Sequence, residues 1–494
     1  MIVDYEYKNS QLIVSHVDKT NKIKLRYYKW SNPTKWIITE DDDPQRDEQY
    51  TTWSGQSVKK ISTKYPNRYS VYDFIEDLPQ NEQDILFEYN EPDIFFVDIE
   101  NEIIDKKPAP HLAESAILSI SIVNKNKVLV IGTSDLSENL SKSINEDINN
   151  YFHKFGVIYE FKYIKFKSEY DMLLNFFVKF VPNMPVMTGW NFIDYDWVFL
   201  VNRARKIGIE PNVSSITKFL REPLWSGSSE KKSYAELPAH RIIVDYMELF
   251  KKWDTSIRVK ESFSLDFISD SVLGVKKVNY EGTLKTLHLS DYKKFVFYNA
   301  VDSILVQKIH EKSKLIDILY GISTLSRVKI GDSYSTLPVT EGILRKKLKN
   351  EKNIVLCRLD RGDTLIDVEG VLGGFVKDPI RGMSQWTSCY DFASLYPTIM
   401  RMFNISVDSY KGIISKDGKY VIFDNKKLDL EENDIVLLNG TVFRNEIGVV
   451  NQVMTNVYGD RKKYKNFMLK DFNDLDELKN EELHIINELL GNVA

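Results

Sequence analysis

The sequence predicts a multidomain α/β protein. Three observations carry that expectation. A chain of 494 residues is too long for one compact core. Apolar runs such as IFFVDIE, SAILSISIV and KVLVIGTS have the length and composition of buried strands. Between residues 93 and 315 such runs alternate with segments of helical period.

Taken in order, the first 92 residues mix short β-like runs with turns, as in QLIVSHV and KWIITE. The α/β block at 93–315 follows. From 316 to 362 the pattern turns helical and basic. A glycine turn, VLGGFVKDP, leads into a β-rich block with the β-like run QWTSCY and a short helix over Ser394–Phe403. The last 45 or so residues read as a charged helix.

Composition narrows the class. Hydrophobic residues make up 43%, enough for burial, and charged residues 28%, enough for a hydrated surface. No apolar run approaches the roughly 20 residues a membrane-spanning helix needs. The acidic, interrupted start is unlike a secretory signal. Two cysteines, Cys357 and Cys389, are too few for a disulfide framework or a tetrahedral zinc site. The expectation is a cytoplasmic protein, in the host cytoplasm if viral, with no membrane contact. The net charge of −5 speaks against a protein that coats nucleic acid, but local basic stretches such as Arg461–Lys465 leave room for phosphate contacts.

Acidic residues carry the chemistry. In IFFVDIE, side-chain alternation puts Asp98 and Glu100 on one face of a strand and Ile99 on the other. Two adjacent carboxylates repel unless a cation lies between them, and hard divalent ions such as Mg²⁺ prefer oxygen ligands. Alone, a D-x-E pair is more often an ordinary surface feature. MPVMTGWNFIDYDWVFLVNRARKIG reads as a buried strand, a turn at Gly189, and a helix with Trp197, Leu200, Val201 and Ala204 inward. Asp196 then falls in the first helical turn, where an acid also suits the helix dipole. In YKKFVFYNAVDSILVQKIHEK, Val301, Leu305 and Ile309 form an apolar stripe, and Tyr298 and Asp302, four apart, share a face.

Together these three segments resemble the three exonuclease motifs of the DEDDy superfamily, which have a ribonuclease H-like fold. RIIVDYMELFKKW followed by SFSLDFISDSVLG resembles the corresponding stretch of family B DNA polymerases of T-even-type bacteriophages. The resemblance implies a 3′→5′ proofreading exonuclease with two Mg²⁺ ions about 3.5–4 Å apart. It implies that Asp98 bridges both ions, Glu100 and Asp302 complete one site and Asp196 serves the other. Tyr298 would orient the attacking water, and Asn191 would help hold the DNA strand end.

YDFASLYPTIMRMF resembles motif A of the same family, with Thr398 in place of the commoner serine. By that resemblance Asp391 is a catalytic metal ligand for nucleotidyl transfer, and Ser394 and Leu395 offer backbone to the triphosphate. Tyr396 excludes a ribose 2′-hydroxyl. Gly373 and Gly374 would touch template DNA. Arg461 and Lys465, one helical turn apart, would grip the nucleotide triphosphate, a task that suits the planar guanidinium.

The implied organisation is an N-terminal domain at 1–92 returning at 316–362, an exonuclease domain at 93–315, a partial palm at 363–448 and partial fingers at 449–494. Neither the N-S-x-Y-G run nor the D-T-D-S hairpin of the family is in the sequence. The expectation is therefore that polymerisation needs a C-terminal polymerase chain carrying them. Single-stranded 3′ ends, primer-template DNA, deoxynucleoside triphosphates and a sliding clamp are the other implied partners. The residues also leave open a free-standing exonuclease and a non-catalytic nucleic-acid-binding regulatory module.

Overall fold

The computed structural model describes residues 1–53, 55–102, 108–211, 220–221, 237–255, 261–357, 376–378, 380–383, 385–392, 394–423 and 426–491. Two compact units emerge, one of Met1–Asn32 with Phe74–Thr340 and one of Pro33–Asp73 with Glu341–Ala494.

In the first unit, β1 (Ile2–Lys8), β2 (Gln11–Val17) and β3 (Ile23–Lys29) form an antiparallel sheet. The main sheet has six strands: β4 (Ile94–Asn101), β5 (Ile117–Asn124), β6 (Lys127–Gly132), β7 (Glu160–Lys165), β8 (Val186–Gly189) and β9 (Ile242–Asp245). Their spatial order is β9-β8-β4-β5-β6-β7. β4, β5 and β6 run antiparallel in turn, whereas β8 is parallel to both β4 and β9. This meets the α/β expectation with a mixed sheet.

Alternation along β4 sorts its side chains between two cores. Phe96 joins one cluster with Val123, Val130, Phe295 and Val301, while Val97 and Ile99 join the other with Ile120, Trp197 and Phe199. Asp98 and Glu100 therefore face the side covered by helix Tyr292–Ser313. That helix is not simply amphipathic. Residues from Phe295 to His310 are buried almost all round, because the sheet and neighbouring helices enclose it. It approaches β5 through small polar pairs: Ser119 Oγ donates to Asn299 Oδ1 at 2.9 Å, and Ser121 and Ser303 hydroxyls meet directly.

The segment after β8 departs from the expected regular helix. Residues Phe192–Trp197 form a π-helical turn, and the α-helix starts only at Val198 and runs to Lys206. Trp197, Leu200, Val201 and Ala204 are buried as expected. Gly189 is required here, since a Cβ would collide with the Val97 carbonyl oxygen of the adjacent strand.

In the second unit, Thr34–Ile38 pairs with Val58–Ser62, and Trp36, Val58 and Val355 make a small core. A five-stranded antiparallel sheet is built from Tyr410–Ile414, Tyr420–Phe423, Lys426–Asp429, Ile435–Val436 and Thr441–Phe443. The short helix appears at Leu395–Met402 and the long terminal one at Val449–Gly491. One expectation fails: among described residues of QWTSCY there is no strand, and Trp386 and Tyr390 are more than nine-tenths exposed. A β-prone run becomes a strand only where a neighbour satisfies its backbone. Gly373 and Gly374 lie outside the described residues.

Candidate active site

Three carboxylates converge at the end of β4. Asp98, Glu100 and Asp302 each offer an oxygen, and these oxygens lie within 4.8 Å of one another. Glu100 and Asp302 are buried, and Asp98 is half-buried. Period-2 alternation aligns the first two, and the long helix brings the third across the sheet face.

Such a cluster is electrostatically costly. Burial first, and then the charges of Asp98 and Asp302, push the Glu100 carboxyl well above the usual carboxylate range. Burial also raises Asp302, against the pull of Lys277. Lys277 Nζ makes an ion pair with Asp302 Oδ2 and lies 4.9 Å from the centroid of the Tyr298 ring. Burial opposes the lysine's charge, yet Asp302 and Tyr298 together more than offset it, so its pKa stands above the ordinary value. Tyr298 is buried, and desolvation followed by the neighbouring acids holds its hydroxyl protonated far above the usual range.

Oxygen donors alone, two of them from acids held against burial, suit a hard divalent cation. Asp302 Oδ1 is also buried with no hydrogen-bond partner among described residues. The residues present thus fit divalent metal ions.

Asp196 stands outside the three-acid group. It is buried in the π-helical turn, and its Oδ1 accepts the Ile99 N–H of β4 at 3.3 Å. Asn191 opens that turn in the left-handed region, with φ 61° and ψ 30°. Tyr298 and Asp302 share one helix face, as their spacing implies.

The sequence reading missed Lys277, Asn299 and Asp245. Asn299 Nδ2 donates to Asp98 Oδ2 at 2.8 Å and so fixes one carboxylate. A signal for it existed: Tyr298, Asn299, Asp302 and Ser303 form a polar strip within the otherwise apolar middle of the helix, Phe295–Val306. Lys277 gave no signal, because its partner is distant in sequence.

The second unit holds the remaining candidates. Asp391 is exposed and belongs to no acidic or His/Cys group of three or more among described residues. Ser394 sits at φ 54° immediately before Leu395–Met402, with no side-chain capping hydrogen bond, and Tyr396 is 79% exposed. Arg461 and Lys465 are exposed on the long helix.

Comparison with known proteins decides the family. Residues 40–268 match the family described as DNA polymerase family B, exonuclease domain, and residues 334–484 match DNA polymerase family B. The chain belongs to family B of the DNA polymerases. It is 26% identical to the DNA-directed DNA polymerase of Escherichia phage RB69, over 62% of this chain and 34% of that one. The enzyme of Enterobacteria phage T4 is 22% identical over 64% of this chain and 35% of the relative. DNA polymerase 1 of Sulfurisphaera ohwakuensis is 26% identical, covering 68% and 37% respectively. The chain thus spans about a third of the length of these family B relatives. Among described residues, no helix is long and apolar enough to cross a membrane.

Proposed function

We propose that this chain is the N-terminal portion of a replicative family B DNA polymerase, and that its first unit is a 3′→5′ proofreading exonuclease. The observation that carries the reading is the Asp98–Glu100–Asp302 cluster, with its unsatisfied buried Oδ1. Asp98, Glu100, Asp302 and Asp196 would hold two Mg²⁺ ions. Bound there, the ions would supply an activated water and stabilise the departing 3′ oxygen in phosphodiester hydrolysis.

The chain's own groups do the rest. Asn299 fixes Asp98. Lys277 holds Asp302, and the protonated Tyr298 hydroxyl can donate to the attacking water or a phosphate oxygen. Asn191 would steady the terminal nucleotide. The substrate is the single-stranded 3′ end of primer-template DNA.

For the second unit we propose a partial palm and fingers. Asp391 would be a polymerase-site metal ligand, with Ser394, Leu395, Tyr396, Arg461 and Lys465 binding the deoxynucleoside triphosphate and Gly373–Gly374 touching template. Polymerisation would need a second carboxylate from a C-terminal part, with a sliding clamp as a further partner. The proposed location is the cytoplasm, of the host if the source is viral.

The test is digestion of a 5′-labelled single-stranded oligonucleotide with Mg²⁺. Asp98→Ala should abolish it while leaving the fold intact by circular dichroism, and undiminished digestion would overturn the assignment. Adding primer-template and nucleotides, with and without a candidate C-terminal chain, separates the alternatives. Extension only in the second mixture supports the polymerase portion, digestion without extension in both a free-standing exonuclease, and neither a binding module.

A further inference from the structure

Asp245 ends β9, where its register partner on β8 is Gly189. It is buried. Its Oδ1 accepts the N–H groups of Met247 at 3.0 Å and Glu248 at 3.3 Å, which caps helix Tyr246–Trp253. That job needs one oxygen, and serine, threonine or asparagine would do it with less desolvation cost. The other oxygen has a different use. Asp245 Oδ2 accepts the Ile193 N–H at 3.1 Å, which lies in the turn that follows the neighbouring strand.

That turn is the one bearing Asp196. It starts at the left-handed Asn191, closes with Tyr195 N–H donating to the Asn191 carbonyl at 3.0 Å, and continues as a π-helical turn. π-helical turns are rare and need outside support. Support comes from both flanks. Asp245 ties Ile193 to β9, and Asp196 itself accepts from Ile99 on β4 at 3.3 Å. Gly189 lets the base of the turn sit against Val97.

We infer that Asp245 is a positioning residue of the exonuclease: through Ile193 it sets the π-helical turn, and hence the placement of Asp196 beside Asp98 and Glu100. The inference rests on the proposed nuclease function. The double use of the carboxylate makes the positioning role separable from the capping role.

In Asp245→Asn, the amide oxygen can still cap Met247 and Glu248, but the NH₂ group then faces the Ile193 N–H, donor against donor. In Asp245→Ser, the hydroxyl caps the helix and is too short to reach Ile193. Hydrogen exchange on the full chain reads the two roles separately. Both variants should speed exchange in peptides covering 190–197 about tenfold or more and leave 246–253 unchanged. With the single-stranded oligonucleotide and Mg²⁺, kcat should fall about tenfold or more while KM stays within about twofold.

Unchanged exchange at 190–197 would overturn the inference. So would loss of protection confined to 246–253, which marks a cap alone, joint loss at both segments, which marks general destabilisation, or faster exchange at 190–197 with unaltered kcat. Should the unmodified chain digest no DNA, the nuclease reading fails, and the exchange data still decide the Asp245–Ile193 link by themselves.

Discussion

Lys277 Nζ lies 2.5 Å from Asp302 Oδ2, so an ammonium occupies one flank of a carboxylate cluster built to receive cations. The lysine arrives from the segment after helix Leu265–Leu273, and the aspartate from the long helix. Breaking a buried pair by removing one partner leaves a charge uncompensated, at a cost of about 3–5 kcal/mol. Lys277→Met should therefore destabilise the metal-free protein by about that much in urea unfolding with chelator present. Mg²⁺ should restore part of the loss. Equal stability of variant and parent in chelator would refute the compensating role.

Glu100 carries the opposite charge problem. Because burial and the neighbouring acids raise its pKa, its contribution to stability is present at low pH and lost as pH rises through the raised value. Glu100→Gln removes that loss. Expected outcomes are a higher melting temperature than the parent in chelator at neutral pH, and a smaller upward shift on adding Mg²⁺. A variant that keeps the parent's full Mg²⁺ shift would show that Glu100 is not a ligand.

A pH dependence follows from His310. Burial first, and then Lys314, lower its pKa from 6.5 to about 4. Tyr246 Oη contacts Nδ1 at 3.3 Å, and the half-buried Asp317 lies 3.8 Å from Nε2, too far to reverse the effect of burial. The unfolded chain takes up the proton first, so stability should fall as pH drops from about 6.5 to about 4, by about 3 kcal/mol, and level off below. In denaturant titrations across that window, His310→Phe should have a shallower pH slope than the parent. Parallel slopes would contradict it.

Gly189→Ala tests the junction behind the π-helical turn. The added Cβ meets the Val97 carbonyl oxygen, so β8 must move away from β4. The expected cost is about 1–3 kcal/mol, the usual price of overpacking, with loss of nuclease rate because Asp196 follows β8. Calorimetry and the oligonucleotide assay check both halves.

In the second unit, both Asp408 oxygens accept the Val449 N–H at 3.0 Å, and Ser406 Oγ accepts that of Val450 at 3.0 Å. These caps fix where the long terminal helix begins. Asp408→Ala should cost about 1 kcal/mol. Hydrogen exchange should rise selectively over the first turns after 449, and uniform exchange changes would count against a local cap.

Strand patterning made the α/β class legible, since period-2 and helix-period signals are local properties of the chain. It also placed Asp98 and Glu100 on one face, and helical spacing joined Tyr298 to Asp302. Local pattern misled at QWTSCY, where β-prone residues have no strand partner among the described residues, and at Phe192–Trp197, where a regular helix was expected. In both places the outcome depends on what lies alongside rather than on the segment itself.

The sequence by itself thus determined the acidic residue set, the elements that carry most of it and the family likeness of their order. Tertiary structure alone decided which groups meet. Lys277 reaches Asp302, Asn299 reaches Asp98, and Asp245 reaches Ile193, each across separate elements. The reason is physical: a contact between distant segments depends on sheet order and helix placement, which no local period encodes.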